Sequence, residues 1–297
     1  MAGDDRADRE REFHDALYTR RARASVDAYY ALLMSSAEFY TESIQAECRD
    51  KHVLEFGCGE GSLAISLALR GAVVDAIDIS PVAIDVARAS AVSQQASVGF
   101  RLMNAERLEY GDDAFDLICG RSILHHVNLD RALAEIGRTL RTEGKAVFLE
   151  PLGHNMILNL ARRLTPGLRS PDERPLLMPD IRTAGQHFGS VRARYFHLSS
   201  LLALPFRRVP GVGFLMTLLD FTDRLLFATW LRKYAWIVVL TLEHPEKPQR
   251  GSGSAGNESS PDSIATGSRR GSSSRRCRRA QRWSTLGGKV GSAGPIE

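Results

Sequence analysis

A short apolar run that stops on a cluster of glycines constrains this chain more than any other feature. His52–Phe56 (HVLEF) reads as a strand, Gly57, Gly59 and Gly61 follow at alternate positions, and SLAISLALR (62–70) is at once helical, with Gly71 placed as its stop. A strand that ends in glycines at a helix start aims backbone N–H groups at an anionic ligand, and the missing Cβ atoms let the ligand approach the main chain. Spacing separates the ligands. A dinucleotide site wants a third glycine three residues after the second, and here that place holds Ser62. The pattern is G-x-G-x-G, and the dinucleotide fingerprint is not met.

From that turn the sequence alternates. AVVDAID (72–78) is a second, β-branched strand ending in acid. Ser80 and Pro81 form an N-cap and first helical residue for PVAIDVARAS. VGFRLM and FDLICG are third and fourth strands. Asp130 begins a helix through Leu140, a turn at Gly144 follows, and KAVFLE is a fifth strand. Strands separated by helices of this length need crossover connections, so the sheet is expected to be mostly parallel. RARYFHL and YAWIVVLTLE add a closing pair with an antiparallel final strand. The fold class is α/β, Rossmann-like and doubly wound, with ligands expected at the carboxyl ends of the strands.

Around this core (50–248) lie two further regions. Residues 1–49 are read as a helical extension, with aromatics Phe13, Tyr18, Tyr29, Tyr30, Phe39 and Tyr40 packing on the main body. An apolar segment at 211–231, within an insertion near 207–232, is interrupted by Asp220, Asp223 and Arg224, which fits an amphipathic helix better than a membrane span. Beyond Pro248 the chain is mainly Gly, Ser and Arg, and 249–297 is expected to be a disordered basic tail. That tail carries 9 Lys+Arg against 3 Asp+Glu, leaving 30 against 32 in the first 247 residues. The basicity belongs to the tail, so the net charge of +4 does not argue for a nucleic-acid-binding fold. Cys48, Cys58, Cys119 and Cys277 form no C-x-x-C pair. Neither a disulfide framework nor a metal centre is expected from them, and a cytoplasmic location follows from that and from an amino terminus without an apolar signal stretch.

Taken together, the glycine motif with Glu55 two residues ahead of it, Asp78 closing the second strand, Asn104-Ala105-Glu106 after the third, and FDLICGRSILHHV (115–127) resemble class I S-adenosylmethionine (SAM)-dependent methyltransferases of the bacterial small-molecule type. The resemblance covers about residues 50–150, and 185–245 more loosely. It implies SAM as cofactor, held by Glu55, Gly57, Cys58, Gly59, Gly61, Asp78, Ile79, Asn104, Ala105, Glu106 and Gly120. In it the carboxylate of Asp78 would accept hydrogen bonds from both ribose hydroxyls. The family often has aspartate where Asn104 stands, and its usual Pro-Gly-Gly turn is here Thr142-Glu143-Gly144-Lys145.

Methyl transfer from a sulfonium is an in-line displacement of an already activated group, so the enzyme chiefly aligns the partners and excludes water. Where the acceptor must lose a proton a positioned base helps, and His125 and His126, just past the fourth strand, are the candidates. Glu150, His154 and Asn155 in EPLGHN are polar groups in an apolar run and candidates for substrate contact; this hexapeptide resembles a subset of bacterial methyltransferases. The expected function is methylation of a small, hydrophobic or amphiphilic acceptor, with no specific nucleic-acid partner; 211–231 is read as a buried lid helix by default, with peripheral membrane contact as the alternative. The alternatives are a SAM-binding regulatory or scaffold protein without turnover, and a NAD-dependent oxidoreductase, against which Ser62 argues.

Overall fold

The computed structural model describes residues 2–19, 34–165, 170, 172–206 and 212–247. Two helices, α1 (Ala2–Thr19) and α2 (Met34–Gln45), precede the sheet. The alternating core follows as β1 (His52–Phe56), α3 (Ser62–Leu69), β2 (Val73–Asp78), α4 (Pro81–Ser93), β3 (Val98–Leu102), β4 (Phe115–Arg121), α5 (Leu129–Thr139) and β5 (Leu140–Pro151). Then come α6 (Met156–Leu164), α7 (Met178–Ala184), β6 (Phe188–Phe196), α8 (Val212–Phe227) and β7 (Ile237–Pro245). The strands form one seven-stranded sheet in the order β3-β2-β1-β4-β5-β7-β6. β7 runs antiparallel to both of its neighbours, and the pairings among β1 to β5 are parallel.

The order reverses between β1, which leads outward to β2 and β3, and β4, which leads the other way. At such a switch point the loops leaving two adjacent strands diverge and open a crevice at the carboxyl edge. Alternation along β1 shows how the sheet is buried on both faces. Val53 joins a cluster with Tyr40, Ile44, Ile65 and Ile84, whereas Leu54 and Phe56 join Phe148, Leu133 and Ile136 on the other side. α2, α3 and α4 therefore cover one face, and α5 covers the other.

Local chemistry sets the helix starts. Ser80 accepts from the Ala83 N–H at 3.1 Å with Pro81 at the first helical position. α5 begins one residue before Asp130, at Leu129, and Asn128 caps it by accepting from Arg131 N–H. The fifth strand begins earlier than KAVFLE, at Leu140, because its pairing with β4 slips between Phe115 and Leu117 and takes up residues 141–144 as a bulge. The charged amino terminus is itself helical from Ala2. Tyr40 is buried as expected, whereas Tyr29, Tyr30 and the proposed tail at 249–297 lie outside the described residues.

Phe148 is fully buried at the centre of β5 and meets Phe56 edge to face, with ring centroids 5.9 Å apart. Phe148→Ala leaves a cavity between two strands that frame the crevice, and the expected loss is about 3–5 kcal/mol in urea denaturation. An unchanged midpoint would show that the sheet does not depend on this contact.

Candidate functional site

The glycine turn leaves β1 with Gly57, Gly59 and Gly61 all at positive φ, from 53° to 76°. Gly61 also has no room for a side chain, since a Cβ there would lie 2.9 Å from both Ala87 and the Phe100 ring. Its absence lets the start of α3 press against α4 and β3. The turn is tied to the next strand. Asp78, at the end of β2, accepts from Gly59 N–H at 2.8 Å through one oxygen and from Ser80 N–H at 2.9 Å through the other. Cys58 N–H donates to the Ile77 carbonyl at 2.9 Å, so glycine turn and acid stand side by side at one sheet edge. Ile79 follows, half-buried. The thiol of Cys58 is buried and pushed up by burial, and it has no opening for chemistry.

Glu55 points to the α3 face, where it accepts from Ala64 N–H at 2.9 Å. It anchors the first turn of α3 from beneath. Burial pushes its carboxyl up to about 8, against the partial help of the Ala64 N–H. Two further expected cofactor residues are also tied internally. Asn104 accepts from Glu106 N–H at 2.8 Å, and Glu106 accepts from Asn128 N–H at 2.8 Å, which ties the loop after β3 to the loop after β4. Ala105 is buried between them. At Gly120 a Cβ would come within 2.8 Å of Ile123 and Phe148, so glycine there lets the β4 loop fold back over its own strand.

That loop is held by a buried carboxylate. Glu150 has no exposed surface, accepts from Ile123 N–H at 2.9 Å and Leu124 N–H at 2.8 Å, and meets His125 Nδ1 at 2.6 Å. Ser122, just before, takes a left-handed φ of 57°, a conformation costly for a residue with a Cβ and kept only where its surroundings fix it. Three expected substrate contacts have internal partners. Glu150 is spent on the loop. Asn155 caps α6 and donates to the Tyr234 carbonyl at 2.9 Å. His154 Nε2 accepts from Met178 N–H at 3.0 Å, and burial, then Lys233, lowers its pKa. Asn155 and His154 hold the chain after β5 in place.

His126 lies beside His125, ring centroids 4.1 Å apart, and its Nδ1 meets Glu10 of α1 at 3.0 Å. The first helix therefore lies over this edge. Glu10 also accepts from Ser170 Oγ, Asp15 accepts from Ser80 Oγ, and Arg9 pairs with Asp172 at 2.7 Å. Burial alone would raise the Glu10 carboxyl, yet hydrogen bonds from His126, His14 and Ser170 outweigh it and hold the group well below the usual carboxylate range. Glu10, His14, Asp15, Ser170 and Glu173 were not legible as site residues. The signal available was Glu10 and His14 at i, i+4 on a helix.

The buried Glu55 generates a pH prediction. Its folded-state pKa lies above the unfolded value, so the folded chain holds the proton more tightly, and Glu55 contributes a stability that is lost as pH rises from about 4.5 to about 8. Glu55→Gln is expected to flatten that decline in thermal melts taken across the window. A melt profile with the same slope as the parent would mean Glu55 is not protonated in the fold.

Residues 54–148 match a family model described as a methyltransferase domain. Among curated relatives, a ubiquinone biosynthesis O-methyltransferase of Coxiella burnetii is 34% identical over 105 residues, 35% of this chain and 45% of the relative. One from Alkalilimnicola ehrlichii is 34% identical over 100 residues, 33% of this chain and 40% of the relative. The chain thus spans less than half the length of these curated relatives. Among solved structures, Haemonchus contortus phosphoethanolamine N-methyltransferase 2 with S-adenosyl-L-methionine superposes with a TM-score of 0.56 at 15% identity, over 79% of this chain and 60% of that one. The Synechocystis magnesium protoporphyrin IX methyltransferase with bound SAH gives 0.55 at 14% identity, over 78% and 97%. At these identities the structures speak for the fold, and the sequence match speaks for the domain. From β1 through β5 this chain is similar to methyltransferase domains, in sequence over residues 54–148 and in fold over the whole sheet.

Proposed function

We propose that this protein transfers a methyl group from SAM to a small hydrophobic or amphiphilic organic acceptor. The observation that carries the reading is the Asp78–Gly59 hydrogen bond, which sets a carboxylate and a left-handed glycine turn against each other at the switch point. The residues fit the cofactor. An ionised carboxylate has about four lone-pair sites, and two N–H groups occupy Asp78, which leaves acceptor capacity for a pair of ribose hydroxyls. SAM, when bound, supplies an activated methyl electrophile.

The chain's own contribution is to align, enclose and deprotonate. Glu150 accepts two backbone N–H bonds on Oε1 and meets His125 Nδ1 through Oε2, and in this reading the Nδ1–H of His125 donates there. That fixes the tautomer and leaves the lone pair of His125 on Nε2, a base oriented by a buried acid. An acceptor hydroxyl, thiol or amine would lose its proton to that nitrogen as its lone pair forms the new bond. α1 over the sheet edge excludes water. Calorimetric titration is expected to show SAM binding, and labelled SAM with a cell extract is expected to yield one metabolite heavier by a methyl group. His125→Ala is expected to lower turnover about a hundredfold with SAM affinity retained. Lack of SAM binding at millimolar concentration sinks the reading, and an unchanged rate removes the role of His125. SAM binding without S-adenosylhomocysteine release across a broad acceptor panel would favour the regulatory alternative.

The acceptor's amphiphilic character is supported by exposed apolar surfaces on α8 and α6. On α8, Phe214, Leu218, Phe221 and Leu225 are exposed at i, i+4, i+7 and i+11, one continuous stripe, and α6 exposes Met156, Ile157, Leu160 and Leu164. Trp230 is exposed with Lys233 5.1 Å from its ring, and Arg224 and Arg232 lie nearby in sequence. An apolar stripe with basic and tryptophan neighbours suits an anionic lipid surface. No helix among the described residues is long and apolar enough to cross a membrane. Cytoplasmic residence belongs to the same proposal, supported by the free buried thiols of Cys48, Cys58 and Cys119. The chain is expected to float with anionic phosphatidylglycerol vesicles, and the double change Phe214→Asp with Phe221→Asp to release it. No flotation of the parent would remove lipid contact from the proposal.

A further inference from the structure

Under α1 the side chains of Glu10, His14 and His126 converge, and their ligand-capable atoms all lie within 4.8 Å of one another. We propose that these three groups form a binding site for a divalent transition-metal ion, one that joins α1 to the loop after β4. No metal centre is expected from the spacing of the cysteines, and none of them takes part here. This site is assembled from two segments more than a hundred residues apart.

The geometry suits an ion. Glu10 Oε2 stands 3.0 Å from His126 Nδ1 and 3.6 Å from His14 Nε2. Ligand bonds of about 2.0–2.2 Å in tetrahedral array put donor atoms about 3.3–3.5 Å apart, and the two measured separations bracket that range. The donor set, two imidazoles and a carboxylate, is suited to zinc, cobalt, nickel or iron rather than to calcium or magnesium. Helical spacing places Glu10 and His14 on one face of α1, so two of the ligands are positioned by a single rigid element.

The surroundings are those of a supported ligand set. The second oxygen of Glu10 is engaged by Ser170 Oγ, which fixes how the carboxylate is turned. Glu10 is 3% exposed, so its negative charge is held in a dry place where a dication would be strongly favoured. A second trio shares His126: its ligand atoms and those of His125 and Glu173 also fall within 4.8 Å of one another. Further donors therefore stand next to the ion. Three protein ligands leave positions for water or for an oxygen of the acceptor, and the acceptor class this favours is one with a hydroxyl or enol oxygen. An ion here would also fasten α1 across the crevice.

The test uses the untagged full-length chain, stripped with chelator and titrated with cobalt(II), whose visible d–d absorption reports tetrahedral or five-coordinate nitrogen–oxygen ligation. One equivalent of cobalt is expected to bind, with His14→Ala and Glu10→Gln each weakening affinity about tenfold or more. His52→Ala, on the far end of β1, is the control expected to bind as the parent does. His14 is partly exposed, so His14→Ala keeps the test decisive should changes at buried Glu10 or at His126 unfold the chain. Absence of d–d absorption at millimolar cobalt, or equal affinity in the parent and His14→Ala, overturns the site. SAM titration of the same samples is read separately: loss of SAM binding bears on the methyltransferase reading and not on the metal.

Discussion

The hydrogen bond from Gly59 N–H to Asp78 is the contact on which the rest of this site depends. It joins the turn after β1 to the end of β2, on one side of the switch point between β1 and β4. A charge-assisted bond in a place 8% exposed is stronger than its counterpart in water and costs more to leave unmade. It also sets the order of construction. The strands align the two residues by register, Glu55 against Ala76 and Phe56 against Ile77, and only then can the turn reach the acid.

The same device recurs around the carboxyl edge. Glu55 supports the start of α3, Glu106 holds the loop before α5, and Glu150 gathers two backbone N–H groups and an imidazole behind β4. Loops carry donors that the sheet does not satisfy, and each of these acids meets donors that burial would leave unpaired. Acidic side chains at strand ends are therefore struts here before they are chemistry. Glu150 joins the two roles in one side chain, with one oxygen on the loop and the other on His125.

This is also where sequence reading succeeds and where it stops. β1 to β5, the Ser80 cap and the positions of Asp78 and His125 follow from local patterns: apolar runs of strand length, a Ser-Pro pair, glycines with a fixed spacing. Glu150 looked like a substrate contact because a polar residue in an apolar run has two explanations. Alternation could have decided between them, since Ala146 and Phe148 face the α5 side and Glu150 continues that row beneath the β4 loop. Asn155 was equally readable, being an N-cap residue directly before an apolar helical run. The docking of α1 was not readable. A helix of mixed charge with few apolar positions looks like a solvated one, and nothing local says that Glu10 and Asp15 meet Ser170, His126 and Ser80.

That last difference has a physical meaning. α2 is fixed by burial of Tyr40 and Ile44 in the main core, a contribution of about 1.5–3 kcal/mol for each side chain. The contacts described for α1 are instead polar, with Glu10 as its buried residue and Arg9–Asp172 at the surface. Exposed ion pairs contribute about 0–1 kcal/mol, and buried ones largely offset the desolvation of their members. The two amino-terminal helices therefore have different standing in the fold: α2 is part of the core, and the described side chains of α1 meet the body through hydrogen bonds, ion pairs and the edge-on rings of His14 and His126. A segment held in that way responds to whatever changes the charge beneath it. The crevice and the helix above it are thus joined through the imidazoles of His14 and His126, and the strength of that junction is set by what those nitrogens bind.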